Sequence, residues 1–360
     1  MINYDNRQKI PLFYMKKANY SQIYQKLTRG LSPKIKDIFD NRFGVNTKEP
    51  KTLEAIGKTL GITRERVRQI EEAGFSYVRK NNKETLDNIY ADFAGYFKEN
   101  GGFKKEDIIL EELGRPKGYP NQKPYILFLL TLGEQFSKVA EKKDYHYFWS
   151  DMPNAQPKVK ATLDSLVSGM QKIRKLISQK DFYSQVVSTQ GISPKAALSY
   201  LEVSKKIQLN RDGAIGLTDW PEIKPRGVKD RAYLVFNKTK KPLHFTEVAK
   251  LIDKFNYNIP NKKTYAQTVH NELIKDPRFV LVGRGTYALS DWGYVPGTIK
   301  DMITSVLKAK NEPLHKDEVV KQVLSQRLVA KNTVLMNLNN KKYFDKDSNE
   351  RYFIRKTQSA

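Results

Sequence analysis

A chain of 360 residues is too long for one small domain and suggests about two or three domains, or more if each is a small helical unit. An apolar share of 39% excludes wholesale disorder, and the absence of cysteine excludes disulfides and thiolate metal sites. A net charge of +25 favours a polyanionic partner: DNA, RNA or an anionic membrane surface. The N-terminal MINYDNRQKIPLFYMKK has no apolar core long enough for a signal peptide. The longest apolar run, YILFLLTL from Tyr125, is far short of the roughly 20 residues that a spanning helix needs. It reads as a core helix. The expectation is a cytoplasmic protein with no membrane partner.

The first clear elements lie in TLEAIGKTLGITRERVRQIEE, residues 52–72. Thr52 is placed to cap a helix through Leu53, Ile56 and Leu60, Gly61 breaks it, and Thr63 caps a second helix. Two helices around a glycine turn form a helix-turn-helix. On the second helix, Val67, Ile70, Gly74 and Val78 fall on one side, and Arg64, Glu65, Arg68, Gln69 and Glu72 on the other. The outward set suits a DNA major groove. Arginine reads guanine with two bonds, glutamine reads adenine, and glutamate accepts from the cytosine amino group. The remaining arginines would hold phosphates.

These residues also carry a resemblance. LSPKIKDIFDNRFGVNTKEPKTLEAIGKTLGITRERVRQIEEAGFSYVRK resembles region 4 of the sigma-70 family of transcription initiation factors. The TLE start, the IG of the first helix, the glycine turn and TRERVRQIE carry it. In that family the module reads the minus-thirty-five promoter element and docks on the RNA polymerase flap. The resemblance implies base or phosphate contacts for Arg64, Glu65, Arg68 and Gln69. It places Thr52, Leu53, Thr63 and Arg66 against the DNA backbone or in support of the helix. Two departures stand out: Ala55 replaces a frequent acidic residue, and Gly74-Phe75-Ser76-Tyr77 replaces the usual helix end. Glycine inside a helix costs about 1 kcal/mol, so an early helix end or altered packing is expected there. No aromatic, basic promoter-melting helix precedes the match, so a self-sufficient sigma factor is not expected.

The rest of the chain reads as a repeat. YHYFWSDMPNAQPKVKATL, AIGLTDWPEIKPRGVKDRA and TYALSDWGYVPGTIKDMI each run from a short strand through Ser/Thr-Asp and a proline turn into a helix. Their aspartates, Asp151, Asp219 and Asp291, lie about 70 residues apart, as do His244 and His315 in the repeated PLH. In the clearest copy, helices are expected at 228–236, 245–255 and 264–275, the last with Val269, Leu273 and Ile274 inward. FVLV and TYALS around Gly283-Arg284-Gly285 then read as a hairpin. Three helices and a hairpin make a winged helix. The last copy has helices at 299–307, 316–326 and 331–339 and strands near Tyr343-Phe344 and Tyr352-Phe353-Ile354. The copy before Asp219 closes with KIQLNRDGAIGLT, and the one before Asp151 fits only loosely.

PLHFTEVAKLI and FVLVGRGTYALSDWG resemble the HARE-HTH family, which includes the N-terminal domain of the RNA polymerase delta subunit. The expected fold is therefore mainly α. A helix-turn-helix domain at 1–82 leads a tandem array of small winged-helix modules, each a helical unit with a β-hairpin: a degenerate one at 83–153, then 154–222, 223–294 and 295–360. In a winged helix the third helix and the wing meet DNA. That makes Lys262, Lys263, Thr264, Gln267, Asn271 and Arg284 candidates, with Lys331, Asn332, Thr333 and Asn337 as their counterparts.

His244 and His315 stand where a helix cap is needed, and His146 and His270 share no ligand spacing with them, so no metal or other cofactor is expected. Asp219, Glu222 and Lys224 mimic a nuclease set but lie on the repeated turn, so no enzyme is expected. Trp220 and Trp292 recur at a fixed place, which suits packing. The expected function is DNA binding in transcription initiation or its regulation, with double-stranded DNA and the RNA polymerase core, through its flap, as partners. The alternative is a polymerase-associated protein resembling the delta subunit. The terminal ERYFIRKTQSA lacks that subunit's acidic tail, which tilts the expectation towards DNA.

Overall fold

The computed structural model describes residues 18–355 apart from 46, 48, 115–120, 258–261, 295 and 328. The segment expected to lack a signal peptide, residues 1–17, lies outside the described residues. The chain divides into two compact units, Met1–Asp219 and Trp220–Ala360.

The first unit opens with four helices, α1 (Tyr20–Leu27), α2 (Pro33–Phe43), α3 (Leu53–Leu60) and α4 (Arg64–Asn81). Each begins at a polar side chain that accepts a backbone N–H: Asn19, Ser32, Thr52 and Thr63. Left-handed Gly44 and Gly61 end α2 and α3. Helix α4 does not stop at Gly74. A Cβ there would lie 2.6 Å from Ile35 Cγ2 and 2.7 Å from Phe39 Cζ, so glycine lets α2 cross α4 at close range.

Asn82 alone separates α4 from α5 (Lys83–Glu99), which is followed by β1 (Phe103–Lys105), α6 (Glu106–Gly114), α7 (Lys123–Leu132), β2 (Ser137–Val139) and β3 (Phe148–Ser150). Strand β3 lies between β1 and β2, antiparallel to both. One core runs across the boundary expected after residue 82. Phe128 of α7 inserts among Phe39, Phe43 and Phe75, with ring centroids 5.4, 5.3 and 6.0 Å away. Tyr24 Oη donates to Asp40 Oδ1 at 2.6 Å, and burial with that bond pushes the phenol's pKa far up.

The unit closes with α8 (Ala155–Ile173), α9 (Gln179–Phe182) extended by tighter and wider turns to Gln190, α10 (Pro194–Val203), β4 (Ile207–Leu209) and β5 (Ile215–Leu217). An isolated bridge from Ile177 to Ile215 stands where the copies on either side have a first strand. Helix α10 packs on β1, with Tyr200 edge-on to Phe103 at 4.7 Å. His146 N donates to Val203 O and Lys205 N to Asp144 O, both at 2.9 Å.

The second unit holds α11 (Gly227–Thr239), β6 (Leu243–His244), α12 (Phe245–Lys254), α13 (Ala266–Lys275), β7 (Phe279–Gly283) and β8 (Thr286–Leu289). The same order recurs in α14 (Ile299–Lys310), β9 (Leu314–His315), α15 (Lys316–Gln326), α16 (Lys331–Leu338), β10 (Phe344–Lys346) and β11 (Arg351–Ile354). In both sheets the last strand is central, and the two-residue strand that carries the PLH histidine pairs with it. Those histidines cap helices: Nδ1 of His244 accepts from Thr246 N, and Nδ1 of His315 from Asp317 N. Val248, Ile252, Val269, Leu273 and Tyr287 fill the first of these cores, with Trp292 packed against Phe236. Ile274, expected inward, is 62% exposed, because α13 ends one residue later and the chain turns away. The architecture is mainly α, a helix-turn-helix followed by small winged-helix modules.

Candidate nucleic-acid interface

The helix-turn-helix is set by short-range chemistry. Thr52 Oγ1 accepts from Ala55 N at 3.1 Å, and Thr63 Oγ1 from Arg66 N at 3.2 Å. Between them Ile62 N donates to Gly57 O at 3.0 Å. A Cβ on Gly57 would lie 2.7 Å from Ile62 O, so the tight turn requires glycine there. Ile38, Ile56 and Val67 form the buried centre, with Leu53, Leu60, Ile62 and Ile70 around it. Leu53 thus supports the turn from the half-buried layer, and the two threonines act through their caps.

Helix α4 is buried on one side only. Val67, Glu71, Gly74, Phe75 and Val78 face the core, whereas Arg64, Glu65, Arg66, Arg68 and Gln69 are exposed. The exposed groups pair with one another. Arg68 donates through Nη2 to Glu65 Oε1 at 2.7 Å and through Nε to Oε2 at 3.0 Å. Arg66 Nη1 donates to Gln69 Oε1 at 3.1 Å. The Arg68 bond lowers the Glu65 pKa and raises that of Arg68, so both stay charged at neutral pH. An incoming base edge exchanges one pairing for another, which holds the side chains extended without burying a charge.

Behind this face lies a group that local sequence patterns do not reveal. Arg42 of α2 donates through Nη1 to Lys51 O at 3.1 Å, and its Nε lies 3.4 Å from Glu71 Oε1. It joins α2, the residue before the Thr52 cap and α4. Burial raises the Glu71 pKa, and Arg42 opposes that shift. An arginine and a glutamate 29 positions apart, 42 and 71, have no local pattern that would pair them.

On α13, Gln267 and Asn271 share the exposed face one turn apart, with Gln267 Nε2 donating to Asn271 Oδ1 at 3.3 Å. Lys262 and Lys263 are exposed ahead of the helix, and Arg284 is exposed at the tip between β7 and β8. Thr264 is a correction. It is buried, with Oγ1 donating to Asp253 Oδ1 at 2.6 Å and N to Oδ2 at 3.1 Å, so it ties α12 to α13 and presents nothing to a ligand. Tyr265, next to it and 70% exposed, occupies the outward place instead.

On α16, Lys331 and Asn332 are exposed, and Lys331 Nζ lies 3.4 Å from Asp317 Oδ1. Thr333 is half-buried, and Asn337 donates back to Thr333 O at 2.8 Å. Met336, 75% exposed and four residues after Asn332, is an outward side chain absent from the expected set. The buried Val334 and Leu338 fix that face by helical spacing.

Residues 29–80 match the family model of sigma-70, region 4, and residues 226–292 match that of HARE-HTH, the HTH domain named for ASXL and restriction endonucleases. The RNA polymerase sigma factor SigA of Nostoc sp. is 37% identical over 62 residues, 17% of this chain and 16% of that protein. Sigma factor SigA1 of Synechococcus elongatus is 39% identical over 56 residues, 16% of this chain and 14% of that protein. The chain thus spans a small fraction of the length of the curated relatives it matches.

Proposed function

We propose that this chain is a DNA-binding transcription protein whose α4 reads a short major-groove site resembling a minus-thirty-five element. The observation that carries the reading is the one-sided burial of α4. Its apolar side is consumed by the core, while Arg64, Glu65, Arg68 and Gln69 stand free of it on a helix capped and aimed by Thr63. The likeness to region 4 of polymerase sigma factors supports the same face. Arg64 and Arg68 pair with guanine edges or adjacent phosphates, and Gln69 with adenine. The exposed lysines and amides at the start of α13 and α16 add contacts, and linked modules gain about 10²–10⁴ in avidity where geometry allows.

RNA polymerase is the proposed protein partner, through its flap. The ring cluster of Phe39, Phe43, Phe75 and Phe128 supports one constraint: the apolar sides of α2 and α4 are covered by α7, so a polymerase contact uses the outer surface of this domain. Co-purification with polymerase that survives nuclease treatment is the expected sign.

Arg68→Ala tests the base-reading role. Selection of binding sites from a random duplex pool should yield a consensus relaxed at one position, with a discrimination loss of about 1–3 kcal/mol there. A uniform loss across all sequences would reduce Arg68 to a phosphate contact.

A further inference from the structure

Two features of the first unit combine. Neither winged helix there offers its third helix to a ligand. Helix α7 buries Ile126, Phe128, Leu129, Leu130 and Leu132 in the shared core. Helix α10 lies against β1, and a Cβ on Gly101 would come within 2.5 Å of Ala196 Cβ. Each third helix is spent on the domain before it.

The second feature is charge. Across these modules the lysines are largely neutralised, as in Lys104–Glu202 at 2.9 Å, Lys105–Asp107 at 3.0 Å, Lys195–Glu99 at 2.8 Å and Lys206–Asp144 at 2.9 Å. The turn from α8 into α9 departs from that pattern. Lys172, Arg174, Lys175 and Lys180 are all exposed, and none forms an ion pair among the described residues. The nearby carboxylates are engaged elsewhere: Asp181 Oδ2 accepts from Ser178 Oγ at 2.7 Å, and Asp164 pairs with Lys160 at 2.8 Å. Arg174 closes α8 in the left-handed conformation, φ 55°, with its N–H on Met170 O. Ser168, Gln171, Lys172 and Arg174 line a shallow open groove at this turn. Four like charges kept together without partners are held against their mutual repulsion, an arrangement that an anion relieves.

We propose that the 172–180 turn is a second, sequence-independent contact for the phosphate backbone of double-stranded DNA engaged by α4. The proposal rests on the reading of α4 above. It places the DNA contact of this winged-helix module on the helix–strand turn in place of its buried third helix. The chemistry favours a duplex. No large exposed hydrophobic side chain falls within 172–180 among the described residues, so the turn offers neither a ring for stacking unpaired bases nor an apolar anchor for a membrane.

The test uses the full chain carrying Lys172→Gln, Arg174→Asn, Lys175→Gln and Lys180→Gln; asparagine suits the left-handed position. Binding is measured against salt on two duplexes that carry the preferred site. One is limited to about one helical turn, roughly 10 base pairs, and the other is extended by several turns on both sides. Each lost phosphate contact lowers the slope of log K against log salt by about 0.9, so the long-duplex slope should fall by about 2–4. Binding to the short duplex and the preference for site over scrambled sequence should not change. An unchanged slope on the long duplex overturns the proposal, as does an equal loss on both duplexes. A loss confined to single-stranded RNA or anionic vesicles also overturns it. Failure of the α4 reading has a different signature: the wild-type chain then shows no preference between site and scrambled duplex, while the slope still reports on the turn.

Discussion

Gly74→Ala separates local propensity from tertiary packing. In an exposed helix interior, glycine to alanine stabilises by about 0.5–1 kcal/mol. At Gly74 the added Cβ would sit 2.6 Å from Ile35 Cγ2 and 2.7 Å from Phe39 Cζ, so α2 must shift. Phe39 is fully buried and stacked on Phe75 at 5.0 Å, which leaves its ring no free direction. Overpacking of this kind costs about 1–3 kcal/mol. Offset by the helix gain, the net loss is about 1–2 kcal/mol. At about 2–4 °C per kcal/mol for a unit of this size, the melting temperature should fall by about 2–8 °C. Gly95→Ala is the internal control. It lies within α5 of the same unit with nothing within 4 Å of the added Cβ, and it should raise the melting temperature. Differential scanning calorimetry of both variants decides the matter. A rise for Gly74→Ala equal to that for Gly95→Ala would refute the close-crossing argument.

Further outcomes follow from the same contacts. Thr63→Ala removes the cap of α4 and should cost about 1 kcal/mol in chemical denaturation, with weaker binding to every duplex. Glu71→Gln should stabilise the first unit at neutral pH, because burial raises the Glu71 pKa and the folded state therefore disfavours the charged form. Stability from a raised carboxyl pKa is present below the ordinary value of 4.5 and lost as pH rises through the folded value. The gap between variant and wild type should therefore close towards that pH, and a gap independent of pH would contradict the assignment. Arg278→Ala strands Asp276 and Asp230, which now accept from Arg278 Nη2 at 2.6 and 2.8 Å. Since the arginine is about one-third exposed, a loss up to about 3 kcal/mol is expected in the second unit. The Asp276 pKa is lowered chiefly by its bond to Arg278, so the loss should shrink as pH falls through that depressed value.

The helix-turn-helix is legible in the sequence because its determinants are local. Caps at Thr52 and Thr63, the Gly61 break and the spacing of Val67, Ile70 and Val78 all act within one or two turns. The repeat is legible from its strand–aspartate–proline punctuation. What escapes depends on partners distant in sequence. The two-residue strands at Leu243–His244 and Leu314–His315 exist only because β8 and β11 pair with them. Thr264 reads as the start of an exposed helix because its partner, Asp253, sits on the preceding one. Ile274 fits the inward period, but the turn at Asp276 leaves nothing above it to pack against. YILFLLTL is readable as a core helix. That its core is shared with Phe39, Phe43 and Phe75 emerges only from the fold.

Fluorescence anisotropy of the full chain tests the central claim most directly. One duplex carries a minus-thirty-five-like site and the other its scrambled sequence, each at two salt concentrations. The account predicts a preference for the site that persists at the higher salt, since base contacts survive when phosphate contacts are screened. Equal, steeply salt-dependent binding to both duplexes would contradict it and leave α4 a helix that holds phosphates without reading bases.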